Sequence, residues 1–196
     1  MMSRRLMLCL TLLLTGCASV VKVEGEQVVN QRLVVKVADA WNKLVTAGEG
    51  QPFEAWTQDG LMLDHLRFWA AIKPGQTLLV APSVPVGAGR RAPQVPTFRA
   101  GMSADELVAL FELVYAADGS LVTLGKLEPV RFAGEAAVRF EFAVARKSDG
   151  VQLQGVGWVA VHQGMLFAST FVAPRLAFFG RLLPKAEAVV ATARIR

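Results

Sequence analysis

The side chains of this sequence that could do chemistry are few and scattered. Cys9 and Cys17 are the two thiols, and His65 and His162 the two imidazoles. Asp64 adjoins His65, with Asp59 and Glu54 a short way upstream, so acid–base or metal chemistry would have to start there. Neighbours on a strand project to opposite faces, however. Asp64 and His65 therefore cannot hold one ion as a pair, and no metal ligands are assigned. His162 stands in His162-Gln163-Gly164, a turn sequence between apolar runs, where a solvated polar residue is expected. Ser83, Ser120 and Ser169 lie in no nucleophile elbow, and no HExxH, P-loop or dinucleotide fingerprint occurs. No catalytic residue is assigned: the expectation is a non-enzyme, with a hydrolase as the least favoured alternative.

Binding is the next possibility. Trp41, Trp56, Trp69 and Trp158 could line a pocket for an apolar or sugar ligand, or fill a core between a sheet and its helices. Residues 82–97 carry Pro82, Pro85, Pro93 and Pro96 with Gly87, Gly89 and the pair Arg90-Arg91. Prolines at that density exclude a central strand or a helix interior, and a loop this long is usually functional or disordered. Arg90 and Arg91 are the candidate partner-binding residues.

The elements that must position these groups can be read from periodicity. A polar stretch over 17–27 reads as a tether. Val28 to Val37, Glu54 to Thr57, Leu61 to Ile72 and Thr77 to Ala81 read as extended, with Asp59-Gly60 as a hairpin turn. Ser103 and Glu106 fit a capping box, Met102 and Leu107 a hydrophobic staple, and Leu107, Leu110, Phe111 and Val114 recur at helical spacing. A helix is predicted over Ala104 to Ala116. Leu121 to Leu127 and Pro129 to Phe132 are extended. Three strands follow: Ala136 to Ala145, Val151 to Val161 and Met165 to Val172. Gly155 and Gly157 put bare backbone on one face of the second, which signals a bulge, a bend, or a large side chain lying across it. A last helix is expected over Lys185 to Thr192, with Pro184 in its first turn and Phe178-Phe179 in the core. Strands with a middle and a terminal helix spell an α+β fold: an antiparallel sheet with helices packed on it. One domain is expected over 28–196.

At the amino terminus, Arg4-Arg5 precede an apolar run from Leu6 to Leu14, too short to span a bilayer and proportioned like the core of a signal peptide. The run ends in Leu14-Thr15-Gly16-Cys17, which resembles the lipobox of bacterial lipoproteins. The resemblance implies a signal peptide over 1–16, cleavage before Cys17, a diacylglycerol on its thiol and an N-acyl lipid, commonly palmitate, on its amine. With Cys9 removed and Cys17 lipidated, no thiol remains for a disulfide, although the periplasm would permit one. Ala18 and Ser19 follow, with no Asp at the position that retains many lipoproteins in the inner membrane. The outer membrane, periplasmic face, is therefore favoured over the inner membrane. Losing Arg4 and Arg5 also lowers the formal charge from +5 to +3, and no basic cluster marks a nucleic-acid footprint.

A second resemblance spans most of the rest. Asp39-Ala40-Trp41-Asn42, Trp56-Thr57-Gln58-Asp59-Gly60, Gly75-Gln76-Thr77-Leu78, Pro129-Val130-Arg131-Phe132-Ala133-Gly134 and Gly164-Met165-Leu166-Phe167 together resemble bacterial lipoproteins of the Mog/PsbP-like fold. That implies an α/β/α sandwich serving mainly as a binding or accessory factor, with no catalytic residues to carry over. The expectation is an outer-membrane lipoprotein that binds an envelope protein or cell-wall component and needs no cofactor beyond its lipid. The alternative is a carrier of a lipid or other apolar ligand.

Overall fold

The computed structural model describes residues 20–45, 50–80 and 95–196; among them nine strands form one sheet accompanied by two helices. In chain order these are β1 Val20–Val29, β2 Leu33–Leu44, β3 Glu54–Thr57, β4 His65–Ile72, α1 Ala104–Ala116, β5 Leu121–Phe132, β6 Glu135–Ala145, β7 Gln152–His162, β8 Met165–Pro174, α2 Phe179–Val190 and β9 Arg194–Ile195. Across the sheet the order is β1-β2-β3-β4-β8-β7-β6-β5, with β9 beside β2 and each of these pairings antiparallel.

Alternation along the strands divides the interior in two. On β4, Leu66, Phe68 and Ala70 enter a core shared with Leu182, Ala186, Val189 and Val190 of α2. Trp69 and Ile72 enter the opposite core with Leu107, Val108, Leu110, Phe111 and Val114 of α1. The sheet is thus the middle layer of an α/β/α sandwich, the α+β architecture expected.

Helix α1 keeps its predicted bounds because its signals are local. The Ser103 amide donates to Glu106 Oε2 at 2.8 Å, and the Glu106 amide donates to Ser103 Oγ at 3.4 Å, closing the capping box. The meander β6–β7–β8 also follows the expected order, joined by turns at Ser148-Asp149-Gly150 and Gln163-Gly164.

Five readings are corrected. The strand expected over Leu61 to Ile72 starts only at His65, because residues 61–63 form a turn in which the Leu63 and Asp64 amides donate to the Gly60 carbonyl. The tether over 17–27 and the strand over Val28 to Val37 are instead a hairpin, since β1 starts at Val20 and the chain reverses at Asn30-Gln31. Both turn residues take positive φ, 44° and 57°, which Asn accepts more readily than most residues. Asn30 also donates its Nδ2 to the Ala70 carbonyl at 2.8 Å. The polar residues of β1 are those of an exposed edge strand, so their composition imitates a tether. Of the strand expected over Thr77 to Ala81, the described residues 77–80 form none: Thr77 makes one bridge to Thr97, and Leu78 and Phe98 are buried. The two extended pieces around Glu128 are one strand, β5, with a register shift between Leu124 and Leu127 and Pro129 on the sheet's edge. Helix α2 begins at Phe179, which places Pro184 inside it rather than in its first turn. Phe179 stacks on Phe171 at 5.8 Å and Leu182 is fully buried, so core packing outweighs the backbone bond that proline forfeits.

Candidate functional site: an arginine-lined cleft beside helix α1

His65, Arg67 and Trp69 are alternate residues of β4 and share the face that looks toward α1. Trp69 closes the core, with its indole N–H donating to the Leu78 carbonyl at 2.9 Å. His65 and Arg67 sit toward the strand's start, where the core opens into a cleft of about 440 Å³. Phe53, Leu79, Val114, Val144 and Leu153 give it apolar walls; His65, Arg67, Tyr115 and Arg146 supply most of its polar groups.

Arg67 lies between two rings, its guanidinium carbon 4.7 Å from the centroid of Phe53 and 5.4 Å from that of Tyr115. Such stacking attracts a cation but does not neutralise it. The Arg67 Nε is buried without a hydrogen-bond partner, and among the described residues no carboxylate lies within ion-pair distance of this guanidinium. Arg146 differs, because Asp149 takes it with both oxygens, at 2.9 and 2.7 Å, and it donates to the Met62 carbonyl. Tyr115, the chain's single tyrosine, shares a 2.6 Å hydrogen bond with Thr170, which pairs with Arg67 across β4 and β8. Burial raises its phenol above the usual range, so it stays protonated.

His65 stacks on Tyr115 with ring centroids 5.9 Å apart, and its Nε2 is buried without a partner. Burial first, then the charges of Arg67 and Arg146, hold its pKa well below the ordinary value. The ring is neutral in the folded protein but takes a proton near pH ~6.5 when unfolded. Its contribution to stability is therefore present above that pH and lost as pH falls toward the folded value. In that window the wild type is expected to lose about 1.4 kcal/mol per pH unit relative to His65→Gln. Urea midpoints at about pH 7 and about pH 5 check it; parallel changes in both proteins contradict it.

Asp64, next in sequence, works elsewhere. Its buried carboxylate accepts from Thr57 Oγ1 and the amides of Gln58 and Asp59, closing the loop between β3 and β4. It and His65 do not converge, because Asp64 precedes β4 and turns into that loop. His162, the last residue of β7, pairs its Nδ1 at 2.9 Å with Glu135, the first residue of β6.

The four tryptophans do not form one pocket. Trp41, Trp56 and Trp158 belong to the α2-side core and Trp69 to the α1-side core, so the sheet separates them. They are core fillers, with Trp158 also beneath the Arg139 guanidinium at 6.0 Å. Cys17, Arg90 and Arg91 lie outside the described residues. Sequence reading missed Arg67 and Tyr115. The available signal was a cation two residues from His65 in an apolar strand, on the face that Trp69 marks as inward. Among the described residues no group of His, Cys, Asp and Glu is arranged to hold a metal, and no helix is long and apolar enough to cross a membrane.

The fold defines a PsbP-like α+β sandwich. No family model and no curated protein matches the sequence. Among solved structures, the chain is similar to the cyanobacterial PsbP protein CyanoP from Synechocystis sp. PCC 6803, with a TM-score of 0.55 and 14% identity over 93% of this chain and 95% of that one. It is also similar to a protein from Bacteroides thetaiotaomicron VPI-5482, with a TM-score of 0.50 and 12% identity over 88% of this chain. There the match covers 48% of the other chain, about half its length. At these identities it is the fold that is shared.

Proposed function

We propose that this chain is a lipid-anchored, non-enzymatic binding factor of the bacterial cell envelope, held through Cys17 at the periplasmic face of the outer membrane. The observation that carries the reading is Leu14-Thr15-Gly16-Cys17 behind a short apolar run. Two or three acyl chains on Cys17 suffice for stable attachment, at roughly 0.8 kcal/mol per buried methylene. The PsbP-like fold, known to us mainly in accessory proteins, fits a binding role. So does the chemistry of the cleft. His65 is stacked on Tyr115 and its Nε2 has no hydrogen-bond partner, so it is not engaged with the Ser120 hydroxyl as base with nucleophile. The partner is an envelope protein or cell-wall component, met through the proline-rich segment with Arg90 and Arg91. A second reading, a carrier of a lipid or apolar ligand, is favoured specifically by the cleft beside α1.

Growth with labelled palmitate tests the anchor. The wild type is expected to incorporate label and to sediment at outer-membrane density, and Cys17→Ala to take up none. An unlabelled wild type sinks the anchored reading; a labelled protein at inner-membrane density corrects its address.

A further inference from the structure

We infer that the cleft beside α1 binds an anionic amphiphile, a molecule with a carboxylate or phosphate head and an apolar body, and that Arg67 is the ligand of its head. This deepens the second reading above, a carrier of a lipid or other apolar ligand, and rests on it.

The argument begins with an uncompensated charge. Arg67 is only partly buried, but its Nε is cut off from water with neither a hydrogen bond nor a counter-charge, which is unfavourable. The Phe53 and Tyr115 rings lie close to its guanidinium carbon. A planar fork of donors suits a carboxylate or phosphate with two acceptor oxygens. Nothing described in the cleft supplies one: Asp118 is the single carboxylate of the lining, and it accepts from the Ser120 amide at 2.8 Å. Arg146 also lines the cleft, with its charge already paired to Asp149, and His65 offers its unpartnered Nε2, so the unpaired positive charge of the lining is that of Arg67. These groups disfavour a cationic ligand.

The rest of the lining is mainly apolar, with Gln51, Asp118 and Ser120 as its further polar side chains. Phe53, Leu79, Val114, Val144 and Leu153 offer no hydrogen-bonding side chain for a sugar or peptide, but they would cover a hydrocarbon body. The volume of about 440 Å³ falls within the range typical of small-molecule sites, ~300–1,000 Å³. The combination of one unpaired cation with an apolar trough is that of a fatty-acid-like ligand rather than a free inorganic ion.

The test is photolabelling of the full-length protein in its own membrane. The probe is a decanoate analogue carrying a diazirine; matching alcohol and quaternary ammonium probes serve as comparisons, and labelled peptides are mapped by mass spectrometry. The carboxylate probe is expected to label β4 and the end of α1, with excess decanoate competing. A charge-assisted hydrogen bond of ~1.5–3 kcal/mol converts to about 10-fold to 150-fold, so Arg67→Gln should reduce this labelling by at least about 10-fold, and Arg67→Lys by less. Val80 lies at the cleft and is half exposed, so Val80→Trp should block labelling without disturbing the core should the arginine variant fail to fold. Equal labelling by the alcohol overturns the assignment of an anion, and competition by inorganic phosphate alone overturns the amphiphile. If no probe labels the cleft while crosslinking still captures a protein partner, the ligand is refuted and the binding-factor reading survives.

Discussion

Replacing Gly157 by alanine is expected to destabilise the protein by about 3 kcal/mol, at the upper end of the usual range for overpacking a core. The sign is the informative part, because alanine ordinarily stabilises the middle of a strand relative to glycine by roughly 0.5–1 kcal/mol. Gly157 pairs with Phe140 across β6 and β7, and Gly155 with Phe142. An alanine Cβ at 157 would stand 2.2 Å from Phe140 Cζ, and one at 155 would stand 2.3 Å from Phe142 Cζ. The two rings lie flat over the bare backbone. This is the third of the possibilities raised by the glycine spacing, a large side chain across the strand, and β7 has no register shift against either neighbour. Phe140 cannot yield easily, being fully buried with ring centroids 5.2 Å from Phe111 and 5.8 Å from Phe142. The arrangement also reaches the cleft, since Phe142 supports Tyr115 at 4.8 Å. In a Phe140→Leu background the glycine substitution should cost less than about 1 kcal/mol, a coupling that a double-mutant cycle in urea measures directly. Additive penalties would mean that the ring is not what excludes the methyl group.

Asp64→Ala is expected to cost about 4 kcal/mol, and Asp64→Asn about half that, because a buried donor left without its acceptor loses ~1–3 kcal/mol. Oδ1 accepts from Thr57 Oγ1 at 2.9 Å and the Asp59 amide at 2.7 Å, while Oδ2 accepts from the Gln58 amide at 2.8 Å. Asparagine can keep one oxygen but turns an amide group toward another donor. Burial raises the Asp64 carboxyl despite these three donors. A raised carboxyl favours the protonated folded chain, so this contribution is fully present below about pH 3.9 and lost as pH rises through the folded value. The Asp64→Asn penalty should therefore be larger near pH 4 than near pH 7. A penalty that shrinks on acidification would show that the hydrogen bonds, not burial, dominate this carboxylate.

The parts of the fold legible in the sequence are those whose signals are local. Ser103 and Glu106 announce α1 within four residues, and Val138, Phe140, Phe142 and Val144 mark the inward face of β6 by simple alternation. What escaped notice depends on tertiary neighbours. β1 looks like a tether because one side of an edge strand faces water, and Asn30-Gln31 turns the chain without a glycine. Pro184 reads as a helix start, yet Phe179 and Leu182 are drawn into the core before it. Trp56, Trp69 and Trp158 sit among residues buried on both faces of their strands, so periodicity could not reveal that the sheet divides them. The cleft was legible only as Arg67 in an apolar strand. Phe53 and Tyr115, which stack on its charge, come from distant parts of the chain.

Native mass spectrometry of the full-length protein, extracted from its own membrane in mild detergent after in-cell crosslinking, tests the central claim most directly. The account predicts a chain that begins at Cys17, carries two or three acyl groups covalently, and retains a defined protein or small-molecule adduct. An unmodified chain still bearing Met1 to Gly16, with nothing bound to it, would contradict both the anchor and the binding role.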